Sequence, residues 1–102
     1  MLNKIIAYFN LRYKTFDSGV WKSHPEKRKN LIQDVLRQNM AVGKNQEQIL
    51  MLFGNERRIY SNGSWSYPIS FFRDGNPKKF LHLYFNNMNV VTHMRIKFII
   101  KN

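Results

Sequence analysis

Lys79-Phe80-Leu81-His82-Leu83-Tyr84-Phe85-Asn86-Asn87-Met88-Asn89-Val90-Val91-Thr92-His93-Met94-Arg95-Ile96-Lys97-Phe98-Ile99-Ile100-Lys101 spells one long β-hairpin. Both arms alternate with period two, and the four residues from Asn86 to Asn89 supply the turn, because Asn tolerates the left-handed backbone a tight reversal needs. Pairing residue 86 with residue 89 sets Leu81, Leu83 and Phe85 opposite Met94, Thr92 and Val90. Ile96, Phe98 and Ile100 continue that apolar face. The other face then matches Phe80 with Arg95, His82 with His93, and Tyr84 with Val91. A slip of one residue would turn His93, Arg95 and Lys97 into the core, so the choice of face is strongly specified.

Upstream of the hairpin the period changes. Asn62-Gly63 is a strong short hairpin signal between two further strands, expected over residues 57–61 and 64–72. In the second of these, Trp65, Tyr67, Ile69 and Phe71 alternate with Ser64, Ser66, Pro68 and Ser70. Pro68 cannot donate to a ladder and marks a break, a bulge or an edge position. Before residue 55 the apolar spacing is helical. Ser23-His24-Pro25-Glu26 has the form of a capping box with proline in the first turn, opening a helix that carries Leu31, Ile32, Val35 and Leu36. A shorter helix starts at Asn45 and Gln48, carries Ile49, Leu50 and Phe53, and is closed by Gly54. Leu2, Ile5, Ile6, Phe9, Tyr13 and Phe16 repeat at helical spacing with Lys4, Arg12 and Lys14 between them. They predict a basic amphipathic helix over residues 1–16, which packs on its own domain or, less commonly, lies on a membrane surface. The expected architecture is a single α+β domain over residues 1–102. Its parts are the N-terminal helix (1–16), a helical pair (17–54) and a three- to four-stranded antiparallel sheet (55–102) with the helices on one face.

A chain of 102 residues can bury one core but not two. The absence of cysteine excludes disulfides, thiolate metal sites and thiol chemistry together. No apolar run is long enough for a secretory signal or a membrane span, and without a lipidated cysteine the expected compartment is the cytoplasm. Net charge is +11. Residues 1–54 carry nine basic and four acidic side chains, and residues 55–102 carry eight and two, so no basic tail accounts for the excess. Such a surface attracts acidic proteins, nucleic acid or anionic membranes over roughly one Debye length, about 8 Å at physiological salt.

Several short motifs resemble a known family. Phe16-Asp17-Ser18, Trp21-Lys22, Pro25-Glu26, Arg28 and Asp34 come first; Gly43-Lys44 and Ile49 with Leu52-Phe53-Gly54 follow. Trp65-Ser66-Tyr67, a Leu-x-Leu-x-Phe-Asn strand and a Val-Val strand complete the pattern. Residues 16–98 thereby resemble small bacterial proteins of the SmpA/OmlA type, which share the fold of β-lactamase inhibitor protein. The resemblance implies two helices on an antiparallel sheet, and a non-catalytic module that binds another protein through its sheet or loops. Asn55 stands where such proteins often have proline, and Asn87-Met88-Asn89 replaces their usual Asn-Gly turn.

The chemistry-bearing residues form few constellations. Glu26 and Glu47 suit first helical turns, Asp17 and Asp34 adjoin helices, and Glu56 and Asp74 lie in turns. They make no carboxylate pair, no Ser–His–Asp arrangement and no phosphate loop, so the expectation is no enzyme, no cofactor and no small-molecule substrate. His82 and His93 as cross-strand neighbours would supply two zinc ligands where three or four are needed, so no metal is expected. Arg28 falls on the apolar stripe of its helix; the expected clamp sets it against Asp17, with the ring of Trp21 beside it. Phe80, His82, Tyr84, His93, Arg95 and Lys97 gather on the hairpin face turned away from the core. That mixture suits an acidic protein partner or, alternatively, single-stranded nucleic acid. Ser64, Ser66 and Ser70 beside it would leave the neighbouring surface flat and open to an approaching chain.

Overall fold

The computed structural model describes residues 14–100. Among them three α-helices precede four strands: α1 (Ser18–Ser23), α2 (Arg28–Arg37), α3 (Gln46–Phe53), β1 (Arg58–Ile59), β2 (Trp65–Phe71), β3 (Pro77–Phe85) and β4 (Val91–Phe98). The strands form one antiparallel sheet in the order β1-β2-β3-β4, with the helices packed on one of its faces, an α+β fold. The amphipathic helix expected over residues 1–16 lies outside the described residues except for residues 14–16, which have no regular structure.

The helical half differs from the expectation at its start. Asp17 caps α1, its Oδ1 accepting from the Val20 N–H at 3.0 Å. Ser23 is therefore the last residue of α1 and no cap for α2; its hydroxyl donates to the Gly19 carbonyl at 2.6 Å. The chain then bends through a 3-10 turn, Pro25–Lys27, before α2 begins at Arg28. α3 starts where expected, with Asn45 and Gln48 each bonding the other's backbone N–H at 2.9 Å. Gly54 ends it at φ 90°, a backbone that a Cβ would strain, and its carbonyl accepts from the Tyr67 hydroxyl at 2.8 Å. Burial pushes the Tyr67 hydroxyl up to about 12.

Rings join the two layers. Trp21, Phe53 and Tyr67 are fully buried, with Trp21 and Phe53 centroids 5.1 Å apart and Phe53 and Tyr67 centroids 5.5 Å apart. Asp34, 2% exposed, ties the entering chain to α2. Its carboxylate accepts from the Phe16 N–H at 2.7 Å, from Gln38 at 2.8 Å and from Arg37 at 3.1 Å. These bonds, the Phe16 N–H foremost, hold the Asp34 carboxyl below its ordinary value. Leu31, Ile32, Val35 and Ile49 complete the helical side of the core, and Leu81 and Leu83 meet them from the sheet, with Met94 at the margin.

All three hairpins use one loop design. The N–H of Tyr60, Phe72 and Asn86 donates to the carbonyl four residues on, while each of their carbonyls accepts from the N–H three residues on. The third residue of each loop has positive φ: Gly63 (85°), Gly75 (88°) and Asn89 (60°). Such a three-residue loop, a turn followed by one left-handed residue, matches the twist of paired strands.

This design corrects the expected β3–β4 register. The Asn86 N–H donates to the Val90 carbonyl, so residue 86 closes the loop with residue 90 and not 89, which adds one residue to the turn. An irregularity between Tyr84 and Phe85 adds a second, because Phe85 pairs with Val91 and Tyr84 with His93, leaving Thr92 over. Two slips of one residue cancel in parity, so residues 93–98 keep their expected faces. From Tyr84 back along β3 every pair nevertheless moves by two: His82 lies opposite Arg95, not His93; Tyr84 opposite His93; and Phe80 opposite Lys97. Between the two slips the faces are exchanged. Val91 turns into the core, at 1% exposure, and Thr92 turns out.

Candidate functional site on the outer sheet face

The sheet face away from the helices is built from cross-strand rows. Arg58, Ser66, His82 and Arg95 form one row across all four strands, and Pro68, Phe80 and Lys97 form the next. Tyr84 and His93 lie in the row closest to the turn, on the side where Tyr60 and Ser64 pair.

The six residues singled out from the sequence share this face but not the same exposure. Phe80 and His82 are only 3% and 5% exposed, Tyr84 is half-buried, and His93, Arg95 and Lys97 are exposed. The cover comes from β1 and the residue after it. The Arg58 guanidinium lies 4.7 Å over the Phe80 ring, and the Tyr60 ring stacks on His82 at 4.9 Å. Both side chains reach across β2, where serine leaves room, and the Tyr60 and Ser66 hydroxyls bond at 2.8 Å. Ser64 and Ser66 are consequently buried, at 3% and 0%, so the open surface expected beside them is filled by the chain itself. The cation over the Phe80 ring is thus Arg58, and not Arg95, the residue expected opposite Phe80.

His82 has a fixed role. The Ser64 hydroxyl donates to Asn62 Oδ1 at 2.6 Å, so His82 Nε2, 2.8 Å from that hydroxyl, is the donor of their bond. Burial, with the Lys97 charge adding to it, lowers the His82 pKa from the usual histidine value. The ring is a neutral strut between Tyr60 and Tyr84.

Four rings run across the strands as a column. Centroid separations are 4.9 Å from Tyr60 to His82, 4.6 Å from His82 to Tyr84 and 4.3 Å from Tyr84 to His93, with planes within 28°, the last pair within 8°. Tyr84 and His93 are a cross-strand pair, His82 and Tyr84 stand two residues apart on β3, and Tyr60 reaches His82 across β2. The ring faces cover one another, while the Tyr60 hydroxyl and His82 Nε2 turn toward the buried Ser66 and Ser64. Lys97 Nζ rests 5.5 Å from the Tyr84 centroid. Among the described residues neither Arg95 nor Lys97 pairs with an acid; the ion pairs are Arg28–Glu56 and Arg37–Asp34. The exposed half of the face is thus a rim of two cations, Arg95 and Lys97, beside His93 at the end of the ring column.

Arg28 belongs elsewhere, and its partners correct the expected clamp. Asp17 is committed to capping α1 and does not meet it. The buried guanidinium donates from Nε to the Trp21 carbonyl at 2.7 Å, from Nη1 to the Pro68 carbonyl at 3.1 Å and from Nη2 to Glu56 at 3.2 Å. Its Cζ lies 5.3 Å from the Trp21 ring centroid, as the expected aromatic neighbour. Pro68 sits at the irregular stretch of β2, so Arg28 satisfies a carbonyl exposed where the ladder shifts. A cleft of about 250 Å³ opens beside it, between Lys22, Leu50, Asn55 and Glu56. Glu56 already occupies the outward end of the guanidinium. Glu56 escaped the sequence reading because it comes 28 residues later in the chain.

Among the described residues no three His, Cys, Asp or Glu side chains converge as metal ligands, and no helix is long and apolar enough to cross a membrane. No family model, curated protein or solved structure matches the chain.

Proposed function

We propose that this chain is a non-catalytic protein-binding module that takes an acidic partner on the β3–β4 half of its outer sheet face. The observation that carries this is the set of unpaired cations, Arg95 and Lys97, exposed beside Tyr84 and His93 on a ring column that is already ordered. Preorganised side chains give up little entropy on binding, and carboxylates of a partner meet charges that have no acidic partner among the described residues. Phe80 and His82 support this surface from beneath. The resemblance to SmpA/OmlA-type proteins points to the same class of activity.

Nucleic acid is the competing partner for a chain of net charge +11. Base stacking needs ring faces lying open on the sheet. Here both faces of Tyr84 are covered, by His82 and His93, which favours a partner contacted through ring edges and charge. The test is an Arg95→Glu/Lys97→Glu variant, compared with the parent in affinity capture with and without nuclease. Both positions are exposed, so the thermal midpoint should hold within a few degrees while a nuclease-resistant acidic partner is lost. Unchanged capture by a folded variant would remove this face as the site. Loss of all capture after nuclease would select nucleic acid.

A further inference from the structure

β4 is an edge strand, and its two ends differ. At its start the Val91 N–H donates to the Lys44 carbonyl and the Val91 carbonyl accepts from the Gly43 N–H, both at 2.9 Å, so the loop after α2 covers this end. Further along, the Ile99 N–H donates to the Lys78 carbonyl at 2.9 Å, which sets the alternation. In an antiparallel pair, residues that bond the neighbour alternate with residues whose N–H and C=O point away. Arg95 and Lys97 therefore bond β3, whereas Met94, Ile96 and Phe98 direct their backbone groups to the open edge. Among the described residues nothing meets those groups.

The two sides of this edge have opposite chemistry. On the helix side Met94 and Ile96 are half-buried and Phe98 is 63% exposed, because the helices stop short of this end of β4. On the outer side stand Arg95 and Lys97, without acidic partners among the described residues. A second copy of the chain is a poor occupant. Pairing β4 with itself would set these cations against their own copies, and like charges directly opposite destabilise a sheet.

We infer that the free edge of β4 takes an antiparallel strand from the acidic partner, in which apolar residues opposite Met94, Ile96 and Phe98 alternate with acidic residues opposite Arg95 and Lys97. Backbone bonds hold such a strand in place, and its alternation selects it. This rests on the proposed acidic partner and adds how that partner is gripped.

The experiment titrates the full chain against a labelled peptide with the core Val-Glu-Val-Glu-Val, following anisotropy and amide exchange by NMR. Saturable binding with slowed exchange at the amides of Met94, Ile96 and Phe98 is expected. N-methylation of the valines, whose N–H groups face β4, should weaken binding roughly tenfold or more; N-methylation of the glutamates should not. Binding that ignores valine methylation but is lost in Arg95→Glu/Lys97→Glu would overturn strand addition while leaving the acidic-partner site standing. Binding that is lost on methylation yet ignores the charge reversal would keep the edge and overturn the charged face. Absence of binding would overturn strand addition. So would protection of the three amides that rises with protein concentration alone, since a second copy would then hold the edge.

Discussion

Arg28 is expected to stabilise the fold through the carbonyls it satisfies and not through its ion pair, and two substitutions separate these contributions. Arg28→Met keeps an unbranched side chain of similar reach but no donor, leaving the Trp21 and Pro68 carbonyls without the bonds of 2.7 and 3.1 Å they now receive. Each carbonyl left unsatisfied beside a residue only 1% exposed costs about 1–3 kcal/mol, so the pair gives about 2–6 kcal/mol. Glu56→Gln removes only the charge of a side chain that is 72% exposed and bonded at 3.2 Å. Solvent screening limits that loss to about 0–1 kcal/mol. Urea unfolding of both variants, followed by tryptophan fluorescence, measures the two directly, because Trp21 is buried against this arginine. The ratio decides the matter. If Glu56→Gln costs as much as Arg28→Met, the ion pair dominates and the carbonyl account is wrong.

The β3–β4 loop and His82 provide two further measurements. With Asn89 at φ 60°, Asn89→Gly should be more stable than Asn89→Ala by about 1 kcal/mol in thermal unfolding, since only glycine enters the left-handed region freely; an alanine variant the more stable of the two would place residue 89 in paired strand. The His82 pKa lies below the usual 6.5 in the folded chain, so its stabilising contribution is complete above about 6.5 and is lost as pH falls through the lowered value. The stability gap between the parent and His82→Gln should therefore narrow on acidification, and an NMR titration of the His82 ring with a midpoint at or above 6.5 would contradict the neutral strut.

What the sequence determined by itself was the local and the periodic. Alternation in residues 79–85 and 93–98 assigns each side chain to a face, whatever the exact pairing, because the strand period of two survives a slip of two. The Asn45–Gln48 cap and the break at Pro68 were legible for a similar reason: each depends on residues within four positions of one another. Asp17 was equally legible as a cap by its position, yet its charge drew it toward Arg28, and the short α1 behind it went unseen. Tertiary structure decided the rest. Which residues pair across β3 and β4 depends on a left-handed Asn89 and an extra Thr92, each worth a single step of register that composition does not announce. Whether Phe80 and His82 face solvent depends on β1 lying beside the serines of β2, so that Arg58 and Tyr60 fall across them. Arg28 likewise finds Glu56 only once α2, the end of α3 and β2 are brought together. Periodicity assigns a side chain to a face; only the packing of distant segments settles what covers that face and which charges on it are left without partners.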